Sequence, residues 1–199
     1  NSISVSDLGG PVVSISSSVN NLCFGDANGE AYSSVTGGTL PYTYLWSDGQ
    51  TTDYATGLAA GTYSLQVTDG VGCIGTTDVT ILDPDQLTVT LITSTDILCN
   101  GDCTGEATIT AGGGTPGYSY NWSNSATTTT IINLCAGDYI ITVTDANVCT
   151  ADLTVTITEP PVLAAGLSSI VNASCFGLCD GSATANPTGG VSPYTYEWS

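Results

Sequence analysis

Eight cysteines are the residues of this chain whose type and spacing could do chemistry. Cysteine thiolates can ligate zinc, act as nucleophiles or oxidise to disulfides. The sequence has no His, and zinc sites usually combine Cys with His or place Cys in tight pairs, so the composition favours disulfides. A redox-active pair is disfavoured, because no Lys, Arg or His is present to lower a thiol pKa. Disulfides in turn predict a location outside the cytosol.

The cysteines recur with a period of 76 residues. One pair of positions is occupied in both of the first two copies: Cys23, Cys73, Cys99 and Cys149. Cys103 and Cys135 stand where the first copy has Ala27 and Ala59, so the two cysteines of this second pair are both present in one copy and both absent from the other. Pairing within each copy predicts three bridges: Cys23–Cys73, Cys99–Cys149 and Cys103–Cys135.

Cys175 and Cys179 lie in a third copy, and we expect their partners beyond Ser199, near positions 225 and 211. A bridge that closes a loop of the Cys23–Cys73 length stabilises a small domain by about 4 kcal/mol in the chain-entropy model. Such a bridge matters here, because the hydrophobic core of so small a unit is marginal by itself.

Oxygen-bearing side chains at residues 26–30 resemble a fragment of a calcium-binding loop, with ligands at alternate positions. Crowded carboxylates at the Asp-Pro-Asp joint at 83–85 could also attract a divalent ion. The calcium candidates are Asp26, Asn28, Glu30, Asp83 and Asp85. A turn that opens a strand is the favoured alternative, because the corresponding segments 102–106 and 178–182 do not keep the ligands. Asp69 and Asp145, each after a Thr at a strand end, are expected to be turn caps. Apart from calcium, the sequence indicates no cofactor.

The charge balance excludes several classes of partner. The chain has 18 acidic residues and no Lys, Arg or His, which gives a net charge of −18. Nucleic-acid binding by phosphate neutralisation needs Lys or Arg, and adsorption to an anionic membrane is disfavoured for the same reason. No stretch of the sequence is long enough to span a bilayer, so we expect no membrane insertion within this window. An export signal and any anchor are expected outside it.

Catalysis is poorly supported. A Ser or Thr nucleophile needs a basic partner, and the sequence contains neither His nor Lys. Paired carboxylates could hydrolyse glycosides, but no Asp or Glu pair recurs in the apolar strands. We therefore expect a protein that is not an enzyme.

The element that positions the cysteines is a repeat built around one aromatic strand. A Tyr-x-Tyr-x-Trp-Ser stretch occurs three times, with its tryptophans at 76-residue intervals. On a strand of period two, its aromatics share one face, which we expect to face the core. An exposed sugar-stacking platform is the alternative. The expected core aromatics are Tyr42, Tyr44, Trp46, Tyr118, Tyr120, Trp122, Tyr194, Tyr196 and Trp198.

The repeats divide the sequence at proline-containing joints. We expect a leader or the tail of a preceding element at 1–10, repeat 1 at 11–84, repeat 2 at 85–160 and a partial repeat 3 at 161–199. Repeat 2 reads as strands at 87–91, 105–111, 118–122, 127–132, 138–144 and 150–158, with glycine-rich turns and no helical period.

One-sided alternation in the last two of these strands predicts a two-sheet sandwich of six or seven strands per repeat, the segment 53–58 being the candidate seventh. The strand count also bears on the bridges. Six strands are expected to place Cys23 and Cys73 at the same end of a sandwich, but Cys103 and Cys135 at opposite ends.

The combined motifs resemble the SprB-type repeat. They occupy 23–29, 37–47, 58–73 and 80–84 in the first copy, and the resemblance covers nearly the whole chain. Part of it, the Gly-Thr-Tyr…Val-Thr-Asp segment, is shared with polycystic-kidney-disease-type and other immunoglobulin-like modules. Repeat 2 departs by Gly117 in place of Pro41, by Val148 in place of Gly72 and by its extra cysteine pair. The resemblance implies a very long surface adhesin of Bacteroidota, exported by the type IX secretion system, of the kind that moves along the cell surface in gliding motility.

Together these observations predict an all-β protein of tandem, disulfide-stapled, immunoglobulin-like sandwiches. The expected function is that of a non-enzymatic, extracellular stalk or fibre at the surface of a bacterial cell. Its expected partners are neighbouring repeats of the same chain. Two alternatives stay open: a calcium-assisted, polysaccharide-binding module, and a self-assembling filament in which copies of the chain pack on one another.

Overall fold

Residues 9–198 are described by a computed structural model. The part of the expected leader at 1–8, and Ser199, lie outside the described residues. The regular elements in this range are fourteen β-strands. Repeat 1 contains β1 Val12–Val19, β2 Gly29–Thr36, β3 Thr43–Trp46, β4 Tyr54–Leu58, β5 Gly61–Thr68 and β6 Ile74–Ile81. Repeat 2 contains β7 Thr88–Thr95, β8 Gly105–Gly112, β9 Ser119–Trp122, β10 Thr130–Leu134, β11 Gly137–Thr144 and β12 Thr150–Ile157. The partial repeat 3 contains β13 Leu167–Val171 and β14 Ser182–Ala185. The described part of the chain holds no helix with the length and hydropathy of a transmembrane span.

Each complete repeat forms two three-stranded antiparallel sheets. In repeat 1 the strand orders are β1-β2-β4 and β3-β5-β6, and in repeat 2 they are β7-β8-β10 and β9-β11-β12. This separation of the first, second and fourth strands from the third, fifth and sixth is an immunoglobulin-like sandwich. The predicted fold class is therefore confirmed, with six strands per repeat, and the candidate seventh strand at 53–58 is β4 itself.

Close contacts group the chain into two compact units. The first holds the described residues up to Thr88 together with the loops 113–117 and 145–149. The second holds 89–112, 118–144 and the described residues from Thr150 onward. Two loops of repeat 2 thus belong to the same unit as the whole of repeat 1.

The strand directions within repeat 1 place the start of its first strand and the end of its last strand at opposite ends of the sandwich. Gly29 pairs with Leu58 and Gly61 with Ile81, which defines one end of the sandwich. Val12 and Ile74 lie at the other end, where β1 begins and β6 begins. Six strands give this result because β3 and β4 run in the same direction: the chain crosses from one sheet to the other at 47–53 without a net reversal. Strand parity predicts the ends correctly only where each strand reverses the one before, so the expectation drawn from it is wrong at this step.

The core of each sandwich is made by one face of the alternating strands. Trp46 is 1% exposed and its indole Nε1 donates a hydrogen bond to the Thr52 carbonyl at 2.9 Å. Trp122 repeats this arrangement with Thr128, also at 2.9 Å. The buried apolar residues around Trp46 are Ala31, Ala55, Leu58, Leu65, Val67, Val79 and Ile81. In repeat 2 the alternation of β11 and β12 buries Ile141, Val143, Val155 and Ile157.

The tyrosines of the aromatic strand lie at the edge of the core. Tyr42 and Tyr44 are half-buried and pack against the Trp46 cluster, and Tyr118 and Tyr120 are half-buried at the same positions of repeat 2. Leu45, between them, is 52% exposed, as expected for the opposite face of a strand.

The aromatic residues in the third copy of this strand are not buried in a core as predicted. Tyr194 is half-buried, but Tyr196 and Trp198 are 57% and 60% exposed. Their expected burial is wrong for residues 161–198, because in the complete repeats the tryptophan is covered by strands equivalent to β4, β5 and β6, which this segment does not contain. The exposed aromatics instead line an open cleft of about 690 Å³.

Candidate functional site in the cysteine-bearing loops

The loop that presents Cys23 connects β1 to β2 and is held by its own polar residues. Asn21 is 5% exposed, and its Oδ1 accepts a hydrogen bond from the Asn28 amide at 3.0 Å. The Asn28 side chain in turn accepts from the Leu22 amide at 3.1 Å. The Asp26 amide donates to the Cys23 carbonyl at 3.2 Å, which closes a tight turn around the cysteine.

The joint after repeat 1 fixes this loop through Asp83. One carboxylate oxygen accepts from Asn21 Nδ2 at 2.7 Å and the other from the Gly25 amide at 2.9 Å. The Asn21 amide also donates to the Leu82 carbonyl at 3.1 Å. Asp83 therefore ties the end of β6 to the cysteine loop at the same end of the sandwich.

The turn that presents Cys149 connects β11 to β12 and is organised by Asp145, which is 5% exposed. Asp145 Oδ2 accepts from the Thr115 amide at 2.8 Å, and Oδ1 accepts from the amides of Asn147 and Cys149, both at 2.9 Å. The Thr115 amide, against the opposing effect of burial and with help from the other two, lowers the pKa of Asp145. Its expected role as a turn cap is confirmed.

Asp69 caps the corresponding turn of repeat 1, which connects β5 to β6. It accepts hydrogen bonds from the amides of Thr39, Val71 and Cys73 at 2.9, 3.1 and 2.8 Å. Burial by itself would raise the pKa of Asp69, but these backbone donors outweigh it and the pKa is lowered. The Cys73 turn and the Cys149 turn thus share one structure.

A disulfide joins the two kinds of loop. Cys23 is bonded to Cys149, with their Cα atoms 5.7 Å apart and a sequence separation of 126. Beside the bond, Asn147 Nδ2 donates to the Leu22 carbonyl at 3.2 Å and to Thr115 Oγ1 at 2.9 Å. All of these residues belong to the first compact unit. The bridge therefore links repeat 1 covalently to a loop of repeat 2.

This bond corrects the predicted Cys23–Cys73 and Cys99–Cys149 pairs. Cys23 lies at the end of the sandwich where β5 begins, whereas Cys73 follows the opposite end of β5. An eight-residue strand spans about 25 Å, while disulfide-bonded Cα atoms lie within about 7 Å. The same geometry separates Cys99 from Cys149. A Cys23–Cys73 or a Cys99–Cys149 bond within one repeat is thus sterically excluded.

The predicted Cys103–Cys135 pair is present in the structure. Cys103 lies just before β8 and Cys135 just after β10, and these strands pair at Gly105 and Leu134. The two cysteines therefore meet at one end of the sandwich, contrary to the expectation from strand parity, because β9 and β10 also run in the same direction.

Four cysteines carry no bond in the structure and are exposed: Cys73, Cys99, Cys175 and Cys179. The partners expected for Cys175 and Cys179, near 225 and 211 respectively, lie outside the sequence.

The calcium candidates at 26–30 serve local contacts with other residues of the loop and strand. Asp26 accepts a hydrogen bond from Asn28 Nδ2 at 3.0 Å, and Glu30 accepts from the Tyr32 hydroxyl at 2.6 Å. The carbonyl of Asp85 accepts from the Gly114 amide at 2.7 Å. Within residues 9–198, no group of three or more His, Cys, Asp or Glu residues could hold a metal ion.

Sequence reasoning did not single out Asn21, Thr115 or Asn147 as parts of this site. No signal marks Asn21 and Asn147, since their counterparts in the other repeat are Ile97 and Val71. Thr115 could have been identified from the repeat, because Thr39 occupies the same position of repeat 1. The Thr39 amide donates to Asp69 as the Thr115 amide donates to Asp145.

Comparison with solved structures finds immunoglobulin-like proteins of low sequence identity. Three N-terminal domains of the highly immunogenic outer capsid protein of bacteriophage RB49 are 17% identical, with 92% of this chain and 70% of that chain covered and a TM-score of 0.47. A C-terminal intimin fragment, solved with the intimin-binding domain of the translocated intimin receptor, is 17% identical, with 79% and 68% covered and a TM-score of 0.34. The fibronectin(III)-like modules of CbhA from Clostridium thermocellum are 14% identical, with 73% and 94% covered and a TM-score of 0.29. The fold assignment rests on the sheet topology described above.

The sequence itself matches a family in three places. No curated protein matches the chain. The family model described as the SprB repeat matches residues 15–51, 91–127 and 167–199, so that its three matches begin at the same 76-residue interval as the aromatic strands. These matches cover more than half of the residues, and the chain belongs to the SprB repeat family.

Proposed function

We propose that this chain is a non-enzymatic structural segment of a long extracellular adhesin or fibre, in which tandem sandwiches carry an adhesive region away from the cell. The observation that carries the proposal is the Cys23–Cys149 bond between one repeat and a loop of the next. A covalent link between successive repeats resists their separation under tension, which a stalk needs and a catalyst does not.

The charge and redox chemistry support the same role. A net charge of −18 with no basic residue favours solubility and repulsion between neighbouring stalks. Stable disulfides fit an oxidising, extracellular location. The finer parts of the proposal are that the full protein is a surface adhesin of Bacteroidota, exported by the type IX secretion system and used in gliding. They are supported by the motifs that the chain shares with SprB-type repeats.

The proposal assigns no catalysis to these repeats. The sequence lacks the His and Lys that activate nucleophiles. Among residues 9–198 the buried carboxylates are Asp69 and Asp145, and backbone amides stabilise their charged form. A buried acid held in its ionised form is a poor proton donor at neutral pH.

The test is a replacement of residues 11–160 in the full protein, made in the producing cells. A deletion is expected to shorten the reach of the protein and weaken adhesion, and a swap for two unrelated immunoglobulin-like domains is expected to restore adhesion. Immunogold labelling of intact cells measures surface display in both strains. A swap that is displayed normally but does not adhere would contradict a purely structural role. Binding of the purified 199-residue chain to a glycan array would then favour the polysaccharide-binding alternative.

A further inference from the structure

The unbonded Cys99 and Cys73 occupy the same two kinds of loop as the bonded Cys23 and Cys149. Cys99 lies 76 residues after Cys23, and Cys73 lies 76 residues before Cys149. Each repeat therefore offers one cysteine of each kind, at opposite ends of its sandwich. The structure joins one of each kind and leaves the other two exposed.

The loop around Cys99 reproduces the loop around Cys23. The Asp102 amide donates to the Cys99 carbonyl at 3.2 Å, the same distance as between the Asp26 amide and the Cys23 carbonyl. The Gly101 amide donates to the Glu159 carboxylate at 2.7 Å, as the Gly25 amide does to Asp83. Cys99 is thus presented as Cys23 is, by a loop fixed to the joint that follows its own repeat.

The turn around Cys73 reproduces the turn around Cys149. In both turns an Asp four residues earlier accepts a hydrogen bond from the cysteine amide and donates its own amide to the cysteine carbonyl, the latter at 2.9 Å. A Thr amide, from Thr39 or Thr115, completes each cap. The same backbone hydrogen bonds that hold Cys149 at its disulfide therefore also hold Cys73.

We infer that Cys99 and Cys73 are two halves of further bridges of the Cys23–Cys149 kind, each made with another SprB repeat of the same polypeptide. The partner of Cys99 is the turn cysteine 126 residues further on, and the partner of Cys73 is the loop cysteine 126 residues before it, because 126 is the separation of the observed pair. Under this inference every junction between repeats is covalently closed, and none of the bridges lies within a single sandwich except pairs of the Cys103–Cys135 kind.

The chemistry of the bond is an ordinary oxidation. The two thiols form one S–S bond and release two protons and two electrons, which a disulfide of an extracytoplasmic thiol oxidant accepts as it is reduced to a dithiol. The inference depends on the loop geometry and not on adhesion, so the two proposals can fail separately.

Disulfide mapping of the full protein from its producing cells tests the inference. Free thiols are alkylated before unfolding, and the protein is digested with an enzyme that cuts before Asp, since the chain has no Lys or Arg for trypsin. This places Cys99 in peptide 96–101, Cys73 in 69–77, Cys23 in 7–25 and Cys149 in 145–151. The linked peptides 7–25 and 145–151 are the internal control.

The expected result is peptide 96–101 linked to an Asp-x-x-x-Cys turn peptide of another repeat, and 69–77 linked to a loop peptide of the Cys23 kind. Alkylated Cys99 or Cys73, or a Cys99–Cys149 link, would overturn the inference. Linked peptides found only in species larger than one chain on a non-reducing gel would assign the bridge to a second copy and also overturn it. In a Cys99→Ser variant the link to peptide 96–101 is lost, and the cysteine of its partner turn becomes alkylated. In the control variant Cys103→Ser only Cys135 becomes alkylated, because Cys135 is its partner.

Discussion

Cys23, in the loop between the first two strands of repeat 1, is bonded to Cys149, in the last turn of repeat 2. The bond closes a ring of chain that contains most of both sandwiches. A pull on the two ends of the chain therefore acts on the disulfide before it can extend the strands inside the ring.

The first prediction concerns extension under force. Stretching of the oxidised chain in a force spectrometer is expected to leave the whole segment between Cys23 and Cys149 unextended. The Cys23→Ser/Cys149→Ser variant is expected to extend further by about 300 Å, since the 32-residue Cys103–Cys135 ring stays closed and an extended residue spans about 3.4 Å. Cys103→Ser/Cys135→Ser is the matched control and should add nothing while Cys23–Cys149 is intact. Equal extension of the oxidised chain and the Cys23→Ser/Cys149→Ser variant would show that the bond between repeats does not form.

The second prediction concerns the aromatic strand. Trp46→Phe removes a buried hydrogen bond to the Thr52 carbonyl and leaves a small cavity, so we expect repeat 1 to lose about 1–3 kcal/mol of unfolding free energy. Urea unfolding followed by circular dichroism measures the change. Leu45→Ala, on the exposed face of the same strand, should change stability by less than about 0.5 kcal/mol. A larger loss from Leu45→Ala than from Trp46→Phe would reverse our assignment of the two faces.

The third prediction concerns acid. The folded-state pKa of Asp145 is below its unfolded value, mainly because the Thr115 amide stabilises the carboxylate. Its contribution to stability is complete above the unfolded pKa of about 3.9 and is lost as the pH falls from there through the folded pKa. Urea midpoints measured between pH 7 and pH 2.5 should therefore fall below about pH 4, with a shallower fall in Asp145→Asn.

The exposed Asp152→Asn is the control for the loss of one negative charge. Asp152→Asn is expected to leave the fall of the urea midpoint below about pH 4 unchanged. If it reduced that fall as much as Asp145→Asn does, general charge repulsion and not the cap would account for the effect.

The fourth prediction concerns Val148, whose φ is +68° and whose side chain is 77% exposed. The left-handed region is costly for a β-branched residue, and Gly72 occupies the same position of repeat 1 at φ +91°. Val148→Gly is expected to stabilise repeat 2 by about 1 kcal/mol in urea unfolding, net of the added freedom of glycine in the unfolded chain. The reciprocal Gly72→Val should destabilise repeat 1. A loss of stability in Val148→Gly, or a gain in Gly72→Val, would contradict the assignment of strain to this position.

The repeat, the strands and the buried tryptophans were determined by the sequence itself. Alternation in β11 and β12 follows from side chains that point to opposite faces at each step, so Ile141, Val143, Val155 and Ile157 could be assigned to the core without coordinates. The turn contacts of Asp145 were equally local, because an Asp at a strand end binds amides within a few residues of itself. Its contact with the Thr115 amide comes from another loop and is part of the tertiary structure.

The disulfide partners were decided by the tertiary structure. Sequence spacing shows that Cys23 and Cys73 recur together, but it does not show that β3 and β4 run in the same direction, which puts the two cysteines at opposite ends of one sandwich. A disulfide depends on a separation of a few ångströms in space, which is set by strand direction and by the contact of one repeat with a loop of the next. Periodicity fixes which residues are equivalent, and only the folded chain fixes which of them meet.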